Sequence, residues 1–378
     1  KEMTEAEQDW VMRFQQLTGP TMAKGVEDTT FYRYTRLLAL NEVGGDPGRF
    51  GVSVAEFHFA NAAAQQSWPE TMTTLSTHDT KRSADVRARL CLLSEIPREW
   101  AAACAHWMSD SAVYWTGGKP DRHTQHLFLQ TLLGAWPLST DRAMQYLAKA
   151  TKEAKLHTTW TEPNQAFDEA RDTYVAGVLG DSDLVGDIEG FVAALIEPGR
   201  INALASALLE LTVPGVPDTY QGSELWDLSL VDPDNRRPVD FELRRALLAE
   251  AGTAFPEQLL ARADEGLPKL RVVREALHLR RRRTEAFGAG AAGAYAPLLF
   301  SGTKAEHAVG FTRGGCVAVV TPRLVLGLKS EWDDTVLALP AGTWTDLLTG
   351  RVWTGGAVVV GELLAAFPVA LLERDPDA

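Results

Sequence analysis

The chain has 378 residues, 45% hydrophobic and 23% charged, with a formal net charge of -13. That length exceeds one ordinary hydrophobic core, so more than one domain is expected. The acidic balance repels phosphate backbones and excludes nucleic acid as a partner, but it says nothing against a neutral polymer such as a glucan. Cys91, Cys104 and Cys316 form no CxxC spacing, which argues against a disulfide framework or a thiolate zinc site and fits a reducing cytoplasm. No apolar run approaches the roughly 20 residues needed to span a bilayer. Lys1-Glu2-Met3-Thr4 carries no apolar signal core, and the chain reads as a processed or excised piece of something longer.

In chain order, the spacing of Trp10, Val11, Phe14 and Leu17 predicts a helix over residues 5–18, with Gly19-Pro20 as its stop. Ser53 and Glu56 have capping-box spacing for a second helix that ends before Pro69. Thr71–Ser76 reads as a buried strand whose C-terminal end delivers Thr77, His78 and Asp79. From Ser83 to Leu211 the pattern is helical, with start signals at Pro97, Asp121, Thr140 and Pro163. Val213-Pro214-Gly215-Val216-Pro217 breaks the series, and a short strand through Asp218-Thr219-Tyr220 follows. Residues 256–286 are helical again, and the Arg280–Arg283 run there reads as a solvated helix face. Beyond residue 291 the texture becomes short β-prone runs: Ala308–Thr312, Cys316–Val320, Thr335–Leu339, Thr343–Leu348 and Ala357–Val360.

The segment Ser76-Thr77-His78-Asp79-Thr80-Lys81-Arg82-Ser83 carries the most chemical information. A His-Asp pair at a strand's carboxyl end, followed by Lys81 and Arg82, places an acid among cations that would lower its pKa and hold it ionised. Such a carboxylate can bind sugar hydroxyls and steady an oxocarbenium-like transition state. The segment reads equally well as a helix N-terminus capped by Asp79 or Ser83. Lys24-Gly25-Val26-Glu27-Asp28-Thr29, Phe31 to Tyr34 and Asn41-Glu42-Val43-Gly44-Gly45 combine charge, aromatic rings and glycines in the manner of a sugar site. A salt-bridged helix with buried aromatics is the simpler explanation of that second segment. Residues 214–224 and 232–238 form rigid polar loops that suit either a site rim or ordinary turns. His123 and His126 stand three apart on a helix but lack a matching carboxylate, so no metal or cofactor is expected. Trp107, Tyr114, Trp115 and Trp160 read as packing aromatics before they read as a glucan platform. There is no phosphate-loop or dinucleotide fingerprint and no Ser-His-Asp signature.

Together, Met22–Thr29, Ser76–Ser83, Val213–Gly222 and Asp232–Phe241 resemble segments of maltooligosyl trehalose synthases, in that family's order. The His-Asp pair alone is similar to the wider α-amylase superfamily; the lysine-glycine and threonine-lysine-arginine contexts narrow the resemblance. It implies an α/β plus all-β chain: the C-terminal part of a (β/α)8 barrel with a large helical insertion, followed by a small antiparallel β domain. The implied divisions are 1–95 (barrel), 96–200 (helical insertion), 201–290 (last barrel strand and helices) and 291–378 (β domain). Thr71–Ser76 would be the seventh barrel strand and Val216–Tyr220 the eighth.

The resemblance further implies that Asp79 is the superfamily's transition-state-stabilising carboxylate and His78 its sugar-binding histidine. Lys81, Arg82, Lys24, Glu27, Asn41 and Glu42 would contact substrate, with Lys24 and Asn41-Glu42 gripping a released glucose. The nucleophile and the general acid/base belong to barrel strands outside this sequence. The N-terminal half of the enzyme, as a separate or cleaved polypeptide, is therefore the expected partner, and a maltooligosaccharide the expected substrate. The expected reaction turns the reducing-end α-1,4 linkage into an α,α-1,1 trehalose linkage. An amylase-type hydrolase and a non-catalytic glucan-binding module are the rival readings.

Overall fold

A computed structural model describes residues 3–375; Lys1-Glu2 and 376–378, including the expectation about the first residues, lie outside it. Helices in chain order are α1 (Glu5–Thr21), α2 (Val54–Ser67), α3 (Ala84–Cys91), α4 (Pro97–Asp110), α5 (Arg122–Ala135), α6 (Thr140–Ala154), α7 (Gln165–Gly180), α8 (Ser182–Thr212), α9 (Phe241–Ala251) and α10 (Leu267–Arg282). Strands are β1 (Met72–Thr74), β2 (Val216–Asp218), β3 (Tyr295–Pro297), β4 (Phe300–Ser301), β5 (Ala308–Arg313), β6 (Val317–Pro322), β7 (Val336–Asp346), β8 (Val352–Val359) and β9 (Ala370–Arg374). They divide into two compact units: residues up to Phe50 with Ile96–Ala193, and Gly51–Glu95 with the chain from Ala194 onward.

The first unit is helical. Asp121, Ser139 and Asn164 cap α5, α6 and α7 by accepting first-turn N–H groups, so α7 starts at Gln165, just beyond the Pro163 signal. Phe31, Tyr32, Leu38, Phe128, Leu132 and Tyr174 are buried in its core. Gln130 pins an extended segment there, accepting the Leu38 N–H at 2.8 Å and donating to the Thr35 carbonyl at 2.8 Å. Gly19-Pro20 does not stop α1. The helix runs through both to Thr21 and continues as a π-helix over Met22–Thr30. The apolar stripe of α1 is unburied: Trp10 is 65%, Phe14 53% and Leu17 64% exposed, and Trp10 stacks on Phe14 at 5.3 Å.

In the second unit, α2 opens on the expected capping box, with Ser53 and Glu56 exchanging hydrogen bonds. β1 pairs in parallel with β2, Met72 opposite Val216 and Thr74 opposite Asp218. The strand expected at Thr71–Ser76 is thus shorter, and it is not buried: Met72 is 70% exposed. No other described strand flanks the pair to bury it. The long helix α8 is apolar and long enough to cross a membrane by length and composition, which corrects the expectation that nothing approached that length. Leu204, Leu208 and Leu211 of α8 instead join a protein core.

The C-terminal sheet is antiparallel, in the order β3-β5-β6-β9-β7-β4, with β8 on β7. Alternation sends Phe311, Val317, Val319 and Leu371 toward α8, α9 and α10, while Ala318, Val320, Trp344 and Leu372 fill a second core on the other face. Both faces of β5 and β6 are covered, and every residue of each is buried. The runs expected separately at Thr335–Leu339 and Thr343–Leu348 are one strand, β7, with an irregularity between Leu339 and Thr343 where Pro340-Ala341-Gly342 interrupts the ladder. Sequence reading also passed over α9, capped by Asp240, and over β9. The Arg280–Arg283 run is only partly a solvated face: Arg281 and Arg282 are exposed, Arg280 and Arg283 are half-buried. Arg280 donates to the carbonyls of Leu211 (3.1 Å) and Gly215 (2.9 Å), and Arg282 and Arg283 both engage Glu373 of β9.

Candidate active site

Asp79 sits in the loop that leaves β1, and the second unit builds that loop from both ends. At its start, the Leu75 N–H donates to the Glu210 carboxylate of α8 at 2.9 Å, and the Arg87 guanidinium of α3 donates to the Leu75 carbonyl. At its end, Ser83 caps α3, its N–H donates to the Ser229 carbonyl at 2.9 Å, and Arg82 bridges to Leu230. The Ala84 N–H donates to Ser76 Oγ at 3.0 Å, closing the loop on itself. Inside the loop, the Asp79 N–H donates to Thr77 Oγ1 at 3.1 Å and Thr80 Oγ1 donates to the Thr77 carbonyl at 3.0 Å.

Of the expected group His78, Asp79, Lys81 and Arg82, the structure sets Lys81 against Asp79, while Arg82 forms a backbone bridge to Leu230. Lys81 and Arg82 are each 1% exposed, while the Asp79 side chain is half exposed and His78 is exposed. The Lys81 ammonium lies 3.3 Å from Asp79 Oδ1 and donates to the Asp79 carbonyl at 3.2 Å. A buried cation therefore faces a half-exposed carboxylate. Ser83 supplies the helix cap, so the helix N-terminus expected for this segment is present with Ser83, not Asp79, as its cap.

Asn235 is the residue that sequence reasoning missed. Its amide donates to the carbonyls of Thr77 (3.3 Å) and His78 (3.1 Å), and Tyr220 Oη donates to the Asn235 carbonyl at 3.2 Å. The polar loops at 214–224 and 232–238 thus hold the His-Asp loop from outside. Turn composition and the family resemblance of Asp232–Phe241 marked these loops, but neither singled out Asn235. Beneath lies a cavity of about 20 Å3 lined by Ser76, Asp85, Glu210, Thr219 and Lys269, with room for about one water. Its floor is a buried ion pair, Lys269 Nζ to Asp85 at 2.8 Å, and Asp85 also accepts the Asp227 N–H at 2.7 Å. Burial raises the Asp85 pKa and Lys269 opposes that rise.

The Lys24 group belongs to the first unit. Lys24 pairs with Asp28 within the π-helix, and Glu27 Oε1 accepts the Gly44 N–H at 3.1 Å, joining the π-helix to the Asn41–Gly45 loop. Glu42 accepts its neighbour's N–H, from Val43, at 2.8 Å. Asn41 is fully buried and donates to the Phe31 carbonyl at 2.8 Å and to that of Tyr34. Lys24, Glu27 and Glu42 remain on the surface around it. His123 Nε2 donates to the Tyr32 carbonyl (2.9 Å), and His126 stacks on Trp100. Among the described residues no group of three or more His, Cys, Asp or Glu could hold a metal. Trp107 is buried, Trp115 and Tyr114 are half-buried, and Trp160 is exposed.

No protein-family model matches the chain. A curated protein of Mycobacterium tuberculosis named as a maltooligosyl trehalose synthase is 46% identical over 372 residues, which cover 96% of this chain and 45% of that protein. The maltooligosyltrehalose synthase structure from Arthrobacter ramosus superposes with a TM-score of 0.87 at 42% identity, covering 97% of this chain and 46% of that one. A structure from Sulfolobus tokodaii, titled a hypothetical maltooligosyl trehalose synthase, gives 0.80 at 28% identity over 96% and 47%. The chain belongs to the maltooligosyl trehalose synthase family. It corresponds to the C-terminal half of such a synthase and spans 45% of the curated relatives' length. Within this half, the family-like segments Ser76–Ser83, Val213–Gly222 and Asp232–Phe241 converge on one loop of the second unit.

Proposed function

We propose that this chain supplies part of the active site of a glucan-rearranging enzyme, which converts the reducing-end α-1,4 linkage of a maltooligosaccharide into an α,α-1,1 trehalose linkage. The observation that carries the reading is the loop after β1: an accessible Asp79 beside buried Lys81, in a family named for this activity. The parallel β1–β2 pair, joined through helices, supports assigning both strands to a (β/α)8 barrel, whose sites lie at strand carboxyl ends. On that assignment residues 96–200 are an insertion, 201–290 return to the barrel and 291–378 form the appended β domain.

In the assembled enzyme, a nucleophile and a general acid/base come from the other half, which packs with this one as a separate or cleaved polypeptide or as one continuous chain. The scissile C1–O4 bond breaks as the acid protonates the leaving glucose, giving a covalent glycosyl-enzyme. Asp79 stabilises the positive charge that develops on the sugar ring, and His78 hydrogen-bonds the ring's hydroxyls. The freed glucose stays bound, and its anomeric hydroxyl attacks C1, giving its proton back to the acid/base and releasing the nucleophile. Water must be kept out for rearrangement to win. Lys24, Glu27 and Glu42 provide surface groups that would hold glucose, with Asn41 fixing the loop that carries Glu42.

Product analysis with maltopentaose and the full-length protein tests this. The account expects reducing ends to disappear with little free glucose. Reducing sugar rising in step with bond cleavage would instead identify a hydrolase, and glucan binding without turnover would identify a binding module.

A further inference from the structure

The cavity under the His-Asp loop holds a carboxylate that the proposed mechanism does not use. Glu210 lies in the last turn of α8, and its side chain reaches the backbone N–H of Leu75, 2.9 Å away, at the exit of β1. Leu75 is gripped on both sides, because Arg87 donates to its carbonyl. Arg87 Nη1 also donates to the Arg82 carbonyl at 2.9 Å, so one guanidinium ties the loop's two ends together. Between these anchors stand His78 and Asp79. We infer that Glu210 is a positioning residue for the Ser76–Arg82 loop: by fixing the Leu75 backbone it sets where the Asp79 carboxylate stands. The inference rests on the proposed role of Asp79.

The chemistry of the cavity makes this hold depend on pH. Burial pushes the Glu210 carboxyl up to about 7; the Leu75 N–H, Lys269 and Arg87 pull it down, and Asp218 of β2 adds to the rise. Asp85, paired with Lys269, is the remaining charged group lining the cavity. Because the Leu75 hydrogen bond favours the ionised carboxylate, ionisation in turn strengthens that bond. The sign follows. Above neutrality Glu210 is charged and the loop is held tightly; as pH falls through about 7 the carboxyl takes up a proton and the grip weakens. A small misplacement of a charge-stabilising group reduces rate steeply, so a change of roughly tenfold is expected across this limb.

The test compares full-length wild type with Glu210→Gln, which keeps a neutral acceptor of the same length. Wild-type kcat/KM on maltopentaose should fall about tenfold below neutrality, whereas Glu210→Gln should sit at the lower level and lack that limb. A variant whose profile keeps the limb, or is merely scaled down uniformly, overturns the inference. Hydrogen exchange of residues 75–83, corrected for the intrinsic effect of pH, gives a readout independent of turnover. Protection should decline below neutrality in wild type and be flat in Glu210→Gln; equal pH dependence in both also overturns it. If wild type forms no trehalose-ended product, the proposed function fails while the exchange measurement still decides the role of Glu210.

Discussion

The β1–β2 pair and the C-terminal sheet end in opposite conditions. In the sheet, β5 and β6 are buried on both faces. In the pair, Met72 is 70% and Val216 46% exposed. Sheets whose strands are parallel are ordinarily covered on both faces and flanked by further strands. The central strands of the sheet are covered on both faces, while the pair leaves apolar side chains exposed. The curated relatives are about twice as long as this chain.

That contrast can be broken first in the sheet. Trp344 is fully buried at the centre of the second core, and Trp344→Ala should cost about 3–5 kcal/mol of unfolding free energy in urea titrations. Met72→Ala in the same chain should change stability by no more than about 0.5 kcal/mol, because its side chain already faces solvent. Equal losses at the two positions would erase the distinction between a finished and an unfinished core.

Beneath the loop after β1 lies a buried ion pair, Lys269–Asp85. Lys269→Ala strands a buried carboxylate, and a loss of about 3 kcal/mol is expected, measured by thermal or urea unfolding. Replacing both partners with apolar residues should recover much of it. Asp346 sharpens the comparison from the sheet side. It accepts N–H groups from Leu348 and Leu371 in the β7–β9 region, and burial pushes its carboxyl up to about 6. A folded-state pKa above the unfolded value contributes stability that is present below the unfolded value, near 4, and lost as pH rises through about 6. Urea midpoints should therefore drop by the equivalent of up to about 3 kcal/mol over that window, and Asp346→Asn should remove the dependence.

Local chemistry was legible where it acts locally. The Ser53–Glu56 capping box, Pro97 at the start of α4, and the Pro-Gly break at 213–217 are short-range signals, and each marks a real boundary. Long-range pairing was not legible in the same way. Nothing in the composition of residues 370–374 says that they lie between β6 and β7, and Pro340–Gly342 looks like a turn although it only interrupts one strand. At the site, the Ser76–Ser83 residues stood out because they concentrate unusual side chains. Glu210 and Asn235 did not, since each matters only through a backbone partner more than a hundred positions away. The stop assigned to Gly19-Pro20 failed because α1 continues through Pro20 to Thr21 and on into the π-helix.

The most direct test of the account replaces the Asp79 carboxylate in the full-length protein. Asp79→Asn keeps the volume and the loop's backbone contacts, so folding and maltopentaose binding should persist. Formation of trehalose-ended product should fall by about a thousandfold or more, as expected when transition-state charge stabilisation is lost. Product formation within tenfold of wild type, at unchanged stability, would contradict the assignment of this loop to the chemistry.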